Sequence, residues 1–381
     1  MVLKLAQRGQ VPPFIVMDVM RAAAERAAAG GDVLHLEVGQ PSTGAPRAVL
    51  EAAKAALDSD LLGYTLALGI EPLRQRIASH YRTTYRVPLR PENVVVTTGS
   101  SGAFLLAFLA SFEVGDRVGV AAPGYPAYRN ILKALGVEPV LLPVGPASRF
   151  QPTVEVVRAF GEKLDGLIIA SPSNPTGSML SGTELAALAA WCSAEGIRLV
   201  SDEIYHGLSY GQPAATAAGM GDVIVVNSFS KYYSMTGWRL GWMVLPDALL
   251  RTVECLAQNL FISPPSLSQL AAVAVFDCQE ELDANVARYA RNREILLAEL
   301  PAAGFDRMAP SDGAFYLYAD VSRWTNDSEA FCRRILAETG IACTPGVDFD
   351  PIEGHRFLRF SYAGSTADMA EAARRLKAWT K

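Results

Sequence analysis

A chain of 381 residues, half of them hydrophobic, exceeds the length at which one core normally keeps growing, so a large domain with a smaller companion is expected. A net charge of -5 and lysines and arginines scattered without runs provide no basic field for phosphate backbones and argue against nucleic acid as a partner. Five cysteines, odd in number and never in a C-x-x-C pair, indicate neither a disulfide framework nor a zinc site. No metal is expected, and since no stretch approaches about eighteen uninterrupted apolar residues, the expected location is the cytoplasm and not a membrane.

Early in the chain, "RAAAERAAAGG" reads as a helix stopped by its glycines. From about Val33 to Leu245, β-branched runs alternate with alanine-rich helical patterns, the mark of a parallel sheet covered by helices. The candidate strands are "NVVVTTG", "DRVGVAAP", "EPVLLPV", "GLIIASP", "IRLVSDE", "VIVVNSF" and "RLGWMVL". Several are apolar without alternation, as strands buried on both faces should be. Beyond about Pro246 come long helical stretches, notably "ELDANVARYARNREILLAELPAAG", and then strands "GAFYLYADV" and "RFLRFSYAG" around helix "DSEAFCRRILAETG". The expected division is a large α/β domain over 45–280 and a smaller α+β domain made of 1–44 and 281–381.

Unusual segments fall where strands end, the edge at which open α/β sheets bind ligands. "VVVTTGSSGAF" runs a strand into a turn and then a helix at about Ser101, so backbone N–H groups of Ser100, Ser101 and Gly102 would face an anion. It lacks the G-K-[ST] ending of a nucleoside-triphosphate loop, and alone such a turn is commonly structural. "IIASPSNPTGSML" ends in Asn174-Pro175-Thr176-Gly177, which by itself is turn chemistry. "IRLVSDEIYHG" sets Asp202 and Glu203 at an apolar strand end, where a carboxylate needs a cationic partner to stay ionised. In "VVNSFSKYYSMTGWRLGW", Lys231 follows two serines, with Arg239 eight positions later. That lysine either snorkels along its own stem or is a desolvated amine able to condense with a carbonyl.

Asn-Pro-x-Gly, Asp-x-x-Tyr and Ser-x-Ser-Lys with its following arginine, in this order, resemble the core signature of the class I and II aminotransferases of the fold-type-I pyridoxal-phosphate family. The resemblance extends from "LEVGQPSTGAP" through "GYTLALGIEPLR" to "FLRFSYA". It implies a mostly parallel seven-stranded sheet in the large domain, pyridoxal 5'-phosphate as cofactor, and an amino acid and a 2-oxo acid as substrates. On this resemblance Lys231 holds the cofactor aldehyde as a Schiff base and then shuttles a proton from Cα, through a pyridoxamine form. Asp202 keeps the pyridine nitrogen protonated. Asn174 and Tyr205 donate to the phenolate oxygen, and Tyr125 stacks on the ring. Arg239, Ser228 and the backbone from Ser100 to Gly102 hold the phosphate, while Ser230 shapes the lysine loop. Arg359 clamps the substrate carboxylate beside Asn174, Gly39 offers its backbone from the other side, and Tyr64 reaches the phosphate of a neighbouring subunit in a homodimer.

The same lysine and electron sink also support β-elimination, so a carbon–sulfur lyase is the alternative reaction. A ligand-sensing domain of a transcription factor is a third class, against which stands the absence of a basic helix-turn-helix footprint. His35, His80, His206 and His355 match no triad or metal pattern, and His206 is of interest only for its place beside Tyr205. Arg129 reads as a solvated helix residue rather than a second cation for an acidic substrate. The apolar stretch "VPPFIVM" suits a neutral or aromatic substrate side chain or simple packing.

Overall fold

The computed structural model describes residues 3–380. After a two-residue β1 (Leu34–His35), the strands β2 (Val94–Thr97), β3 (Arg117–Ala122), β4 (Glu138–Pro143), β5 (Gly166–Ala170), β6 (Arg198–Asp202), β7 (Ile224–Ser228) and β8 (Gly241–Val244) build one sheet in the order β2-β8-β7-β6-β5-β3-β4. Each of the seven candidate strands of the α/β region is therefore present. Their unbroken apolar runs have a physical cause. Val95, Val120, Ile168, Val200 and Val226 pack on the side of helix Gly99–Ser111, while Val96, Leu167, Ile169, Leu199 and Val225 pack on the other side. Both faces are covered, so alternation has no solvent side to serve. Each such side chain contributes about 1.5–3 kcal/mol by burial, which makes the sheet a stiff base for what its edge carries.

One strand departs from the parallel expectation. β8 runs antiparallel to both β2 and β7. Only residues 229–240 join β7 to β8, and an antiparallel return needs no crossover helix. That short return contains Lys231, so it lies at the carboxyl end of β7 with little freedom to wander.

Toward the C-terminus, β9 (Tyr316–Asp320), β10 (Ile341–Ala342), β11 (Thr344–Pro345) and β12 (Phe357–Ser361) follow the long helix Gln279–Glu299. β11, β12 and β9 form an antiparallel sheet. β1 pairs in parallel with β10, which fastens the start of the chain to its C-terminal part. Helix Ile15–Ala28 is held there as well, because the Asp348 carboxylate accepts hydrogen bonds from the N–H groups of Ile15 (3.1 Å) and Val16 (3.3 Å). A carboxylate at a helix start satisfies orphan N–H groups and complements the helix dipole.

Candidate active site

The carboxyl ends of β2, β3, β5, β6 and β7 open on one cavity of about 360 Å³. Each strand leads into part of its lining. β2 leads into helix Gly99–Ser111, β3 into Tyr125, β5 into Asn174, β6 into Asp202 and Tyr205, and β7 into Lys231. From the C-terminal part, β12 supplies Arg359 and β9 supplies Tyr316.

Lys231 Nζ donates to the carbonyl of Gly39 at 2.7 Å and lies 5.9 Å from the centre of the Tyr205 ring. Enclosure of the amine, reinforced by the positive charges of Arg359 and Arg239, lowers its pKa from 10.5 to about 8. Asp202 is 2 % exposed, and burial raises its carboxyl to about 6 despite hydrogen bonds from Tyr128 Oη and the Ile204 N–H and despite the charge of Lys231. A cation arriving beside this carboxylate would relieve the cost of burying it.

An anion cradle lies at the start of helix Gly99–Ser111. Thr98, at the N-cap, provides no side-chain hydrogen bond, so the first N–H groups of that helix are left for a ligand. Gly99 has φ +72°, and a Cβ there would come within 2.6 Å of a terminal nitrogen of Arg239. The missing side chain is what lets the guanidinium approach the helix terminus. Ser230 also lines the cavity. The Ser228 hydroxyl is instead spent internally, on Ser230 Oγ at 2.9 Å and the Leu240 carbonyl at 3.3 Å.

Arg359 is 4 % exposed. Its guanidinium donates to Asn174 Oδ1 (2.8 Å), Thr344 Oγ1 (3.2 Å) and the Glu37 carbonyl. Its Nε is buried without a partner among the described residues, an orphaned charged donor of the kind that an incoming carboxylate satisfies. Because Asn174 accepts from Arg359 with its oxygen, its amide nitrogen remains free to donate into the cavity.

Of the residues singled out in the sequence, Gly39, Ser100, Ser101, Tyr125, Asn174, Asp202, Tyr205, Lys231, Arg239 and Arg359 all line this one cavity. Gly102 lies one step further inside its helix, Ser228 lies behind Ser230, and Tyr64 stands 83 % exposed away from the cavity. Arg129 is not a solvated helix residue. It is partly buried and donates to the carbonyls of Asp348 (2.6 Å) and Phe349 (3.4 Å). His206 is a buried structural tie, with Nε2 on the Ser171 carbonyl (3.1 Å) and Nδ1 on the Tyr85 hydroxyl (2.9 Å), and burial depresses its pKa to about 3. Sequence reasoning passed over Tyr128, Tyr316 and Met20, while Phe14, Val16 and Met17 of the stretch "VPPFIVM" do line the cavity. For Tyr128 a signal existed, since three positions after Tyr125 is the same helical face.

The family description "Aminotransferase class I and II" matches residues 31–376. The valine–pyruvate aminotransferase of Mycobacterium tuberculosis is 54% identical over 381 residues, covering 99% of this chain and 98% of that protein. The (5-formylfuran-3-yl)methyl phosphate transaminase of Methanocaldococcus jannaschii is 33% identical, with 96% of each chain covered. Among solved structures, an aminotransferase from Mycobacterium tuberculosis superposes with a TM-score of 0.97 at 53% identity, covering 99% of both chains. The Thermus thermophilus aspartate aminotransferase with maleate gives 0.92 at 30% identity, covering 99% of this chain and all of that one. These likenesses span the whole arrangement of strand ends described above, and they decide for amino transfer over carbon–sulfur elimination: the chain belongs to the class I and II aminotransferases.

Proposed function

We propose that the enzyme uses pyridoxal 5'-phosphate to move the amino group of a small, neutral α-amino acid to a 2-oxo acid such as pyruvate. The observation that carries this reading is the pairing, across one cavity, of a lysine with a depressed pKa and an arginine whose buried Nε lacks a partner. The donor set suits the cofactor. Its phosphate fits the open helix start with Arg239 and Gly99, and its ring nitrogen fits a buried carboxylate in search of a cation. Bound there, the cofactor supplies an electron sink for the carbanion left when the substrate loses its Cα proton.

The remaining roles belong to the chain. Lys231 Nζ would hold the cofactor's carbonyl and move the Cα proton, for which an amine depressed to about 8 is well matched. Asp202 would keep a proton on the ring nitrogen, and Tyr128 holds that carboxylate in place. Tyr205 and Asn174 would donate to the ring's oxygen, Tyr125 would cover a ring face, and Arg359 with Asn174 would bind the substrate carboxylate opposite the Gly39 backbone. The backbone from Ser100 to Gly102 would complete the phosphate site, with Ser228 supporting it from behind Ser230.

The preference for a neutral side chain rests on the cavity wall. Phe14, Val16, Met17 and Met20 are apolar, and the guanidinium of Arg129 is already engaged by two backbone carbonyls, so it is not available to a second substrate carboxylate. The likeness to a valine–pyruvate aminotransferase supports the same class. L-Valine with pyruvate is expected to give kcat/KM at least about 10-fold above L-aspartate, the scale on which an unpaired buried charge is rejected. Equal or better use of L-aspartate would refute the neutral class.

The working unit is a homodimer of the cytoplasm. In support, Leu61, Tyr64 and Leu66 expose 96 %, 83 % and 73 % of their surface on one short segment, an apolar group that a second copy would cover. All five cysteines are free, and among the described residues no helix is long and apolar enough to cross a membrane. Sedimentation at the mass of one chain would remove the dimer.

A further inference from the structure

Tyr316 joins the two halves of the site. Its hydroxyl lies 2.7 Å from that of Tyr205, and its ring lies beneath Arg359, with the guanidinium carbon 4.4 Å from the ring centre. It also abuts Gly39, where a Cβ would come within 1.8 Å of the Tyr316 hydroxyl. The pair of phenols is fully buried, and each is the other's hydrogen-bond partner.

We propose that Tyr316 is a positioning residue whose hydroxyl donates to Tyr205 and thereby couples occupancy of the Arg359 clamp to the hydrogen bond that Tyr205 makes into the cofactor site. The inference rests on the roles given above to Tyr205 and Arg359. A phenol has one proton. When Tyr205 directs its proton at an anionic oxygen in the cavity, its own oxygen becomes an acceptor, and Tyr316 is the donor in place to fill it. A donated bond polarises the next one in a chain, so Tyr205 becomes the stronger donor.

The charges around the pair point the same way. Burial raises both phenols and the positive charge of Arg359 opposes the rise at both, with its guanidinium seated over the ring of Tyr316. The cation over its ring favours Tyr316 as the donor of the pair. Arg359 faces the pair from β12, Lys231 faces the Tyr205 ring from the loop after β7, and Asp202 acts on Tyr205 from the end of β6. A substrate carboxylate on Arg359 cancels part of the charge above Tyr316, and the chain of donors weakens. The ring oxygen beside Lys231 then keeps more of its negative charge, and the nitrogen carried by Lys231 holds its proton more tightly. Carboxylate binding would in this way prime the nitrogen at the moment the substrate arrives.

The test is a pH titration of the visible absorption of the cofactor-loaded enzyme, with and without saturating 3-methylbutanoate, a carboxylate that lacks an amine. Five proteins are compared: wild type, Tyr205→Phe, Tyr316→Phe, Gly39→Ala and Tyr318→Phe. Tyr316→Phe keeps the ring under Arg359 and removes only the hydroxyl. Its midpoint should rise by a few tenths to about one pH unit, the scale of one neutral hydrogen bond, and its response to 3-methylbutanoate should be smaller than that of wild type. Gly39→Ala, which displaces the same hydroxyl sterically, should shift the midpoint in the same direction. Tyr318→Phe removes a buried hydroxyl without a partner on the same strand and should leave the midpoint unchanged. If Tyr205→Phe raises the midpoint while Tyr316→Phe matches wild type with and without the acid, the coupling is overturned and the role of Tyr205 stands. If neither variant moves the midpoint, the role of Tyr205 falls and the coupling falls with it.

Discussion

Lys231→Ala is expected to lower turnover by at least roughly 100- to 10,000-fold, the contribution of a positioned general base alone. The fold should survive, because among the described residues the only hydrogen bond this amine makes is to the Gly39 carbonyl. The anion cradle at Gly99 and Arg239 is untouched, so the cofactor should still bind without covalent attachment. Lys231→Arg should be just as inactive, since a guanidinium does not shed its proton at any workable pH. In wild type, capture of the carbonyl needs the neutral amine. With a pKa lowered from 10.5 to about 8, about a tenth of the amine is neutral at pH 7, against roughly one part in three thousand at the ordinary value. The rate of forming a borohydride-reducible adduct should therefore rise about tenfold per pH unit below pH 8 and level off above it. A rise that continues to pH 10, or an adduct mapped to another lysine, would contradict the role.

Arg359→Lys should raise KM for L-valine by roughly 10- to 100-fold, the range expected for a hydrogen bond to a charged group. The substitution keeps a positive charge but loses the planar fork and the orphaned Nε. An amine without a carboxylate, such as isobutylamine, should lose little, because nothing in it meets the clamp. Equal losses for both would assign the damage to the three hydrogen bonds that Arg359 makes to Asn174, Thr344 and Glu37 and would leave the substrate carboxylate without a clamp.

Much of this arrangement was legible in the sequence because local and global signals agree. β5 and β7 read as strands since both faces are buried, and Asn174, Asp202 and Lys231 stand out because polar groups at apolar strand ends need a reason. The anion cradle was legible from small residues between a strand and a helix, although it was Gly99, just before the residues named, whose missing Cβ admits Arg239. The antiparallel turn of β8 was not legible, because a buried strand has the same composition in either direction. β10 and β11 have two residues each, too few for any period to show. Tyr316 looks like one more aromatic in "GAFYLYADV". Its partner Tyr205 lies 111 positions away, so only the folded chain reveals that the two hydroxyls meet. Arg129 was misread for a similar reason. Its acceptors, the carbonyls of Asp348 and Phe349, arrive from the far end of the chain.

The most direct measurement mixes the cofactor-loaded enzyme with L-valine in the absence of any 2-oxo acid and follows absorbance together with released products. Expected is one equivalent of 2-oxo acid per site, loss of the carbonyl form of the cofactor, no ammonia, and a halt until pyruvate is added, after which alanine appears and the original spectrum returns. An unchanged spectrum and no 2-oxo acid from L-valine, together with continuous release of pyruvate, ammonia and sulfide from L-cysteine without an acceptor, would contradict amino transfer at Lys231.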